Sequence, residues 1–470
     1  MPVAPSLDHI VSLCKRRGFV FPGSEIYGGL ANTWDYGPLG VELRNRVREE
    51  WWKTFVRKRP DMVGLESAIF MNPKVWEASG HTKSFADPLV DCRSCKQRFR
   101  GDKLLEDRLG IEGAAVLKLE QIQKMLTAEK IPCPNCGKSN WTDARSFNLM
   151  VKAYQGVVED EASLVYLRPE TAQGIFVNFK NILDTVHPRL PFGVAQIGKA
   201  FRNEITPGSF IFRTREFEQM EIEYFVEPGT EREHFEAWKE AVWEWYRSVG
   251  ISKERLRIRE HAKEELSHYS SRTIDIEYQF PWGWGELFGL ANRGTFDLRQ
   301  HQTFSGQDLR YTDPADPTKK FLPAVIEPSF GVDRSVLVFL LEAYTEEEAP
   351  TAAGGMEPRV VLKLDPRLAP YDSAILPLSK KEPLVAKAQE VYRMLLQETD
   401  LRLDFDVTGS IGKRYRRQDE IGTPRAITID FGTLGEDDAQ GKRDTLTIRD
   451  RDTLTQERVA IGELSRRLAL

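Results

Sequence analysis

The chain has 470 residues, 41% hydrophobic and 29% charged, with a net charge of −5. That balance suits about three globular domains and excludes a globally basic nucleic-acid binder, so any nucleic acid must meet local patches. No apolar run approaches the ~20 residues of a membrane span, and the N-terminal stretch has no apolar h-region, so the expectation is a cytoplasmic protein with no membrane partner.

Ser6 can cap a first helix that buries Leu7, Ile10, Val11 and Cys14, carries Lys15-Arg16-Arg17 at its end and stops at Gly18. After a loop at Tyr27–Asn32, Pro38 suits the first turn of a long helix. Leu39, Leu43, Val47, Trp51 and Phe55 recur every four residues there, widened by Trp52 and Val56. So bulky a stripe must be covered, either within its own domain or by a second subunit. Asn72-Pro73 and Ser79-Gly80-His81 follow in a loop-rich region.

Four of the five cysteines form two CxxC knuckles, Cys92/Cys95 and Cys133/Cys136. That spacing converges on tetrahedral Zn²⁺, and redox disulfides fit poorly in a chain with no export signal. A helix-like segment, Ala114 to Glu129, lies between the knuckles, and Cys14 stands outside them as a packing residue.

Next comes Tyr166-Leu167-Arg168-Pro169-Glu170-Thr171-Ala172-Gln173-Gly174-Ile175-Phe176, where Glu170 and Thr171 open a helix that His187-Pro188 ends. Phe192 to Phe225 reads as strand, turn (Thr206–Ser209) and strand. Two-residue spacing puts Arg213, Arg215, Phe217, Gln219, Glu221 and Glu223 on one face, graded from cationic through aromatic to anionic, and pairs Arg202 with Glu204 on the first strand. Two readings fit: a hairpin laced with surface ion pairs, or a nucleotide lying beside a small amine.

Glu231 to Val249 is an amphipathic helix with a packed face and no chemistry. Leu256–Glu260 and Thr273–Tyr278 read as strands, with Ala262–Tyr269 helical between them. Trp282 to Arg293 follows, then a strand–turn–helix unit from Phe321 to Ala343 whose helix start, with Arg334, is an anion site. Residues 346–358 read as a linker. Beyond it strands at Val360–Leu364, Ala374–Leu378, Leu401–Val407, Ala426–Asp430 and Asp444–Ile448 alternate with helices at Glu382–Glu398, Gly412–Glu420 and Gln456–Leu468, the pattern of a largely parallel sheet. Lys413, Arg414, Arg416 and Arg417 form a basic cluster, either a solvated helix face or a nucleic-acid contact.

Phe201-Arg202-Asn203-Glu204, the loop, and Phe212-Arg213-Thr214-Arg215-Glu216-Phe217 resemble motif 2 of the class II aminoacyl-tRNA synthetases. Phe217-Glu218-Gln219-Met220-Glu221 is closest to the dimeric glycyl-tRNA synthetases, and Arg168-Pro169-Glu170-Thr171-Ala172-Gln173-Gly174 resembles their substrate loop. The Trp34–Phe55 region resembles motif 1, which in that family forms a homodimer interface, and Glu327-Pro328-Ser329-Phe330-Gly331-Val332-Asp333-Arg334 resembles motif 3. The likeness covers nearly the whole chain with the motifs in order. It implies an α+β fold: a class II antiparallel sheet with flanking helices over residues 1–345, with motifs at about 34–57, 192–225 and 321–344. It also implies a zinc-ribbon-like module at about 90–140 and a C-terminal α/β anticodon-binding domain over 359–470, which favours tRNA for the basic cluster.

The reaction so implied is glycine plus ATP to glycyl-adenylate, then transfer to the 3′ end of tRNA(Gly). The resemblance makes Arg202 and Arg334 catalytic, with Arg202 on the α-phosphate and glycine carboxylate. Phe217 stacks on adenine, and Arg213 and Arg334 hold the outer phosphates together with Mg²⁺. Asn203, Glu204, Phe212, Thr214, Arg215, Glu216, Leu287, Gly331, Val332 and Asp333 complete the ATP site, with Glu286 reaching Mg²⁺ through ATP. Glu170, Glu221, Glu327 and Ser329 match the glycine pocket, flanked by Phe217, Glu218, Gln219, Met220, Arg293, Pro328, Phe330 and Gly331, with Arg100 a further carried-over residue. Phe288 departs from the family, which usually has glutamate there. The threonyl, prolyl and histidyl enzymes share the C-terminal domain, but the three-glutamate pocket argues against them. A non-catalytic accessory relative should lack the motif arginines, which are present here. Alanine is refused by steric exclusion, and no smaller amino acid exists to require editing.

Overall fold

The computed structural model describes residues 5–111, 113–350, 355–436 and 441–468. The Ser6 hydroxyl accepts the His9 amide at 3.3 Å and starts α1, Leu7–Arg17. Gly18, at φ 77°, ends it in the left-handed conformation that a side chain would resist. Pro38 occupies the first turn of α2, Pro38–Trp52.

The organising element is a seven-stranded sheet. In chain order its strands are β1 (Met62–Gly64), β2 (Phe192–Phe201), β3 (Glu216–Val226), β4 (Leu256–Glu260), β5 (Arg272–Phe280), β6 (Gly283–Gly294) and β7 (Ala324–Gly331). They lie in the order β4-β5-β6-β7-β3-β2-β1, antiparallel throughout except for the short parallel edge pair β1–β2. Four helices bracket the sheet's strands in sequence: α3 (Ala172–Val186), α4 (Glu231–Ser248), α5 (Phe296–Ser305) and α6 (Val332–Ala343).

Strand alternation sorts β3 into two faces. Met220, Ile222, Tyr224 and Val226 enter the main core with α2, α4 and α6. On the opposite face Phe225 packs against α3 through Phe176 and Phe179, leaving Phe217, Gln219, Glu221 and Glu223 ahead of it. The apolar stripe of α2 is covered within the chain. Trp51 meets Phe330 edge-on at 5.6 Å, and Phe55 meets both Trp245 and Phe330. Its polar face makes ion pairs with the C-terminal half of the chain: Arg402 pairs with Glu42 and Glu49, Arg367 with Glu50, and Arg46 with Asp372.

Residues 86–148 contain a unit with its own core. Ala86–Asp91 is the middle strand between Arg98–Arg100 and Arg145–Asn148. Helices Gly101–Leu109 and Leu119–Ala128 close over it, burying Val90, Leu104, Leu105, Ile122 and Leu126. The expected Ala114–Glu129 helix is thus a short turn followed by a helix, and the Gly101–Leu109 helix is additional.

Several expectations are corrected. β3 begins at Glu216, so Arg213 and Arg215 precede the strand, in a loop held by the Arg202 amide on the Arg215 carbonyl. Ala262–Tyr269 holds a single turn, Lys263–Glu265. The stretch read as a linker forms a hairpin, β8 (Tyr344–Pro350) with β9 (Met356–Leu362), apart from residues 351–354, which lie outside the described set. Within its acidic run Glu347 is structural, paired with Arg359 and Lys363. Val360–Leu362 therefore belongs to this hairpin and not to the C-terminal sheet.

That sheet is mixed. Its strands are β10 (Ser373–Pro377), β11 (Leu403–Phe405), β12 (Arg425–Ile429), β13 (Thr445–Asp450) and β14 (Gln456–Ala460), in the order β11-β10-β12-β13-β14. Only the pairs with β10 are parallel. Gln456–Ala460 is an edge strand, and its pairing with β13 overrides the helical pattern; helix resumes at Leu464–Leu468. The expected basic cluster is largely committed. Arg414 is buried on the carbonyls of Pro377 and Gly409, Arg416 pairs with Glu357, and Arg417 with Asp406.

Candidate active site

The site lies on the face of β2, β3, β6 and β7 opposite the main helical core. Its first half gathers arginines around the β2–β3 loop. The guanidinium of Arg202 lies over the Phe217 ring, 5.2 Å from its centroid, and donates from Nε to the Pro169 carbonyl at 3.0 Å. Arg334, at the start of α6, lies 4.5 Å from the Phe212 ring centroid, and its Nη1 is 3.0 Å from Oε2 of Glu286. Arg213 stands 4.0 Å from Glu204. The Arg334 charge, with Arg202 and Arg213 behind it, holds the Glu286 carboxyl below its ordinary range. One cleft is lined by all of these side chains together with Thr214, Gln219, Ser329 and Gly331.

The second half gathers carboxylates. Thr171 donates its hydroxyl to Oε2 of Glu221, and Ser329 donates to Oε1 at 2.8 Å. Arg293 donates from Nη1 to Glu327 at 2.8 Å and grips Asp297 with Nε and Nη2 at 2.7 and 2.8 Å. Its guanidinium lies 3.9 Å from the Tyr269 ring centroid. Gln173 donates to both Glu170 and Asp297 at 3.0 Å, and His301 holds the Gln173 oxygen at 2.8 Å. Burial works to raise the Glu170 carboxyl, but His81, Arg293 and Gln173 overcome it and keep it well below the usual carboxylate range. Glu221 goes the other way, raised by burial and by the Glu170 charge.

The substrate-loop geometry depends on a close approach. Arg168 is buried across β2, donating to the Lys199 and Ser67 carbonyls at 2.7 and 2.9 Å. A Cβ at Gly198 would stand 2.2 Å from its Nη2, so only glycine admits this arginine. Gln196 takes the Ser67 amide and hydroxyl and donates to the Thr171 carbonyl, fixing the loop that carries Glu170.

A β-bulge explains Phe288. Ile276 pairs with Phe288 but Glu277 with Glu286, so Leu287 is the extra residue. Glu286 faces the arginines, whereas Phe288 turns into the core 4.6 Å from the Phe330 ring centroid. No carboxylate is missing from the site face at that position. Met220, Phe330, Val332 and Leu287 also direct their side chains into the core and can offer the site only backbone. Glu218 turns away to pair with Arg44 at 2.7 Å. Asp333 braces the sheet, accepting the Tyr36 hydroxyl at 2.6 Å and the Glu218 amide at 2.8 Å. Arg100 makes its ion pairs with Asp87 and Asp102.

His81, Gln173, Asp297 and His301 were not expected. Of these only Gln173 had a readable signal, its place in the substrate-loop motif three residues after Glu170.

The sulfurs of Cys92, Cys95, Cys133 and Cys136 lie within 4.8 Å of one another, with Cys92–Cys136 and Cys95–Cys133 each at 3.6 Å. The Asn135 side chain and the Gln97 amide pull the Cys95 thiol down to about 6, so it ionises readily. The convergence of four sulfurs fits a tetrahedral thiolate site. Cys14 is different: burial pushes its thiol up to about 12, and it packs.

Residues 155–344 match the model of the tRNA synthetase class II core domain (G, H, P, S and T), and residues 372–469 match the anticodon binding domain. Glycine–tRNA ligases from Clostridium perfringens and Clostridium beijerinckii are each 56% identical to the chain over 469 residues, covering 99% of it and 98% of their own length. That of Geobacillus thermodenitrificans is 55% identical over 466 residues, covering 98% of the chain and 97% of its own. With the motif 2 arginines, the carboxylate group and the C-terminal sheet all on one such chain, it belongs to the class II glycine–tRNA ligase family.

Proposed function

We propose that the carboxylate group receives the glycine ammonium and that the arginine cleft receives ATP. The chain is an aminoacyl-tRNA synthetase: it activates glycine with ATP to glycyl-adenylate and pyrophosphate, then transfers glycine to tRNA(Gly). The observation that carries the site reading is the continuity of the two halves along β3, from Phe217 beneath Arg202 to Glu221 between Thr171 and Ser329.

The glycine carboxylate is already an anion and attacks the α-phosphorus in line, so the protein needs no general base. It contributes position and charge. Arg202, at the junction, would hold the α-phosphate and the incoming carboxylate, while Phe217 stacks on adenine. Arg213 and Arg334 would take the outer phosphates. Glu286 would reach Mg²⁺ through ATP, the ion supplying charge neutralisation on the phosphates. Glu170, Glu221 and Glu327 would surround the ammonium with charge-assisted hydrogen bonds. Packing around the α-carbon refuses a methyl group.

Cys92, Cys95, Cys133 and Cys136 would hold a structural zinc ion in a ribbon-like module at about 90–140. The catalytic domain runs to about 345, the β8–β9 hairpin follows it, and the C-terminal domain beyond that hairpin serves tRNA(Gly) recognition in the cytoplasm. No helix among the described residues is long and apolar enough to cross a membrane. We also propose a homodimer. Ile26, Tyr27 and Leu30 are 89%, 87% and 64% exposed, and with Val41 on α2 they give motif 1 an uncovered apolar margin.

Glycine-dependent ATP–pyrophosphate exchange, with alanine, serine and threonine alongside, tests the reading. Exchange with glycine alone is expected. Exchange with another amino acid would overturn the carboxylate pocket, and none at all from folded, tRNA-binding protein would favour an accessory role. Sedimentation at twice the 53.8 kDa chain mass is the expected oligomer result.

A further inference from the structure

Glu223 lies one step deeper than Glu221 on the same face of β3, and the chemistry above makes no use of it. It is 0% exposed, and neither carboxyl oxygen has a hydrogen-bond partner. The β3–β7 register sets Glu221 opposite Ser329 and Tyr224 opposite Ile326, which brings Glu223 opposite Glu327. Oxygens of Glu221, Glu223 and Glu327 lie within 4.8 Å of one another. Like charges directly opposed on an antiparallel pair repel, and burial removes the water that would screen them.

The charged groups facing Glu223 are Glu221 on its own strand, Glu327 on β7, Arg293 on β6 and Asp297 on α5. Glu170 faces Glu327 from the substrate loop, and the β2 neighbour is the apolar Val194. Arg293 spends its hydrogen bonds on Glu327 and Asp297. Two buried carboxyls so placed resist being ionised together. Burial pushes both groups well above the ordinary carboxylate range, helped by the Glu327 charge at Glu223 and by the Glu221 and Glu170 charges at Glu327, against the lowering pull of Arg293.

We propose that Glu223 is a positioning residue of the glycine pocket, sharing one proton with Glu327 before glycine binds and losing it to solvent as the glycine ammonium enters. The step balances: a carboxyl O–H bond breaks, the proton passes to buffer, and ammonium N–H donors replace it against the carboxylates. By linkage, glycine binds more tightly as pH rises through the titration of the pair. The proposal rests on the ammonium lying among Glu170, Glu221 and Glu327.

Calorimetric titration of glycine into the full-length protein, in two buffers of different ionisation enthalpy, reads the proton directly. Wild type is expected to release up to one proton and to show a glycine KM that falls about threefold to tenfold between about pH 6 and 9. Glu223→Gln should lose the release and flatten the KM slope, with kcat moved less than KM, and Glu223→Asp should restore part of both. No release from wild type, or an unchanged slope in Glu223→Gln, overturns the proposal. Should Glu223→Gln fail to fold, the infrared C=O stretch of a protonated carboxylic acid in wild type decides. It is expected before glycine and lost after it, and its absence overturns the proposal. Glu221→Gln keeps the two readings apart: an unchanged glycine KM there would sink the pocket itself, whereas a raised KM with an intact Glu223→Gln slope would sink only the role of Glu223.

Discussion

The imidazole Nε2 of His81 lies 3.4 Å from Oε2 of Glu170, with both side chains buried. Ser79 holds the other ring nitrogen through its hydroxyl at 2.8 Å. Glu170 stays ionised under burial because of this histidine and Arg293. A contact of this kind to a charged group is worth roughly 1.5–3 kcal/mol. His81→Ala should therefore raise the glycine KM about 10-fold or more, and His81→Gln, which can still donate, should raise it less. The KM for ATP should stay put. Pyrophosphate exchange checks this, and equal loss in both KM values would show that the change is structural.

Thr171 and Ser329 lower the Glu221 carboxyl against the raising effects of burial and Glu170. Removing the Thr171 hydroxyl takes away one of the three bonds that favour the anion, the others coming from Ser329 and Gln219. Thr171→Val should move the acid limb of glycine-dependent exchange to higher pH. Rates then fall earlier on acidification and recover at alkaline pH. A uniform loss at every pH would show that Thr171 serves only packing.

Arg202 occupies the junction of the two halves, over Phe217 and on the Pro169 carbonyl. If it carries transition-state charge, Arg202→Ala should cut glycyl-adenylate formation by about 10²–10³-fold. tRNA(Gly) binding should change by less than about threefold. Equal losses in both assays would sink its assigned role.

Much of this site was legible from the resemblance of its motifs, which marked Glu170, Arg202, Arg213 and Arg334 in loops and at a helix start, while strand periodicity reached only the face of β3. Period-two alternation placed Phe217, Gln219, Glu221 and Glu223 together, and the same rule, applied more strictly, would have sent Met220 and Phe330 to the core. What alternation could not show was the bulge at Leu287, which changes the face of β6 and turns a seeming loss at Phe288 into ordinary packing. His81 was illegible because a lone histidine opening the short helix His81–Ser84 carries no periodic signal; only the fold brings it to Glu170. The 346–358 stretch looked like a linker because its glutamates read as solvated, when Glu347 is held by Arg359 and Lys363. Tertiary partners likewise decided the edge strand β14, where the local pattern favoured helix.

The thiol cluster packs against its own small core, Val90, Leu104, Ile122, Leu126 and Trp141. One zinc ion per chain is expected by elemental analysis, lost in a Cys92→Ser/Cys95→Ser pair. Metal loss should loosen residues 86–148 by hydrogen exchange while the seven-stranded sheet stays protected. Purified protein with four freely titrating thiols and no metal would refute the site.

The opposed Glu223 and Glu327 also leave a signature in stability. Both folded-state carboxyls are pushed well above the ordinary range, first by burial and then by the neighbouring carboxylates. In the unfolded chain a glutamate loses its proton near about 4.3. Between that value and the raised folded one, the folded protein binds more protons than the unfolded chain. Stability must then fall as pH rises, by about 1.4 kcal/mol per pH unit for one proton. Glu223→Gln has no proton to lose at that position. Its melting temperature, followed from about pH 5 to 9 without glycine, should decline less steeply than that of wild type. Parallel curves would mean that the pair holds no proton in the folded protein, and that Glu223 is buried as a carboxylate whose charge the surrounding structure compensates.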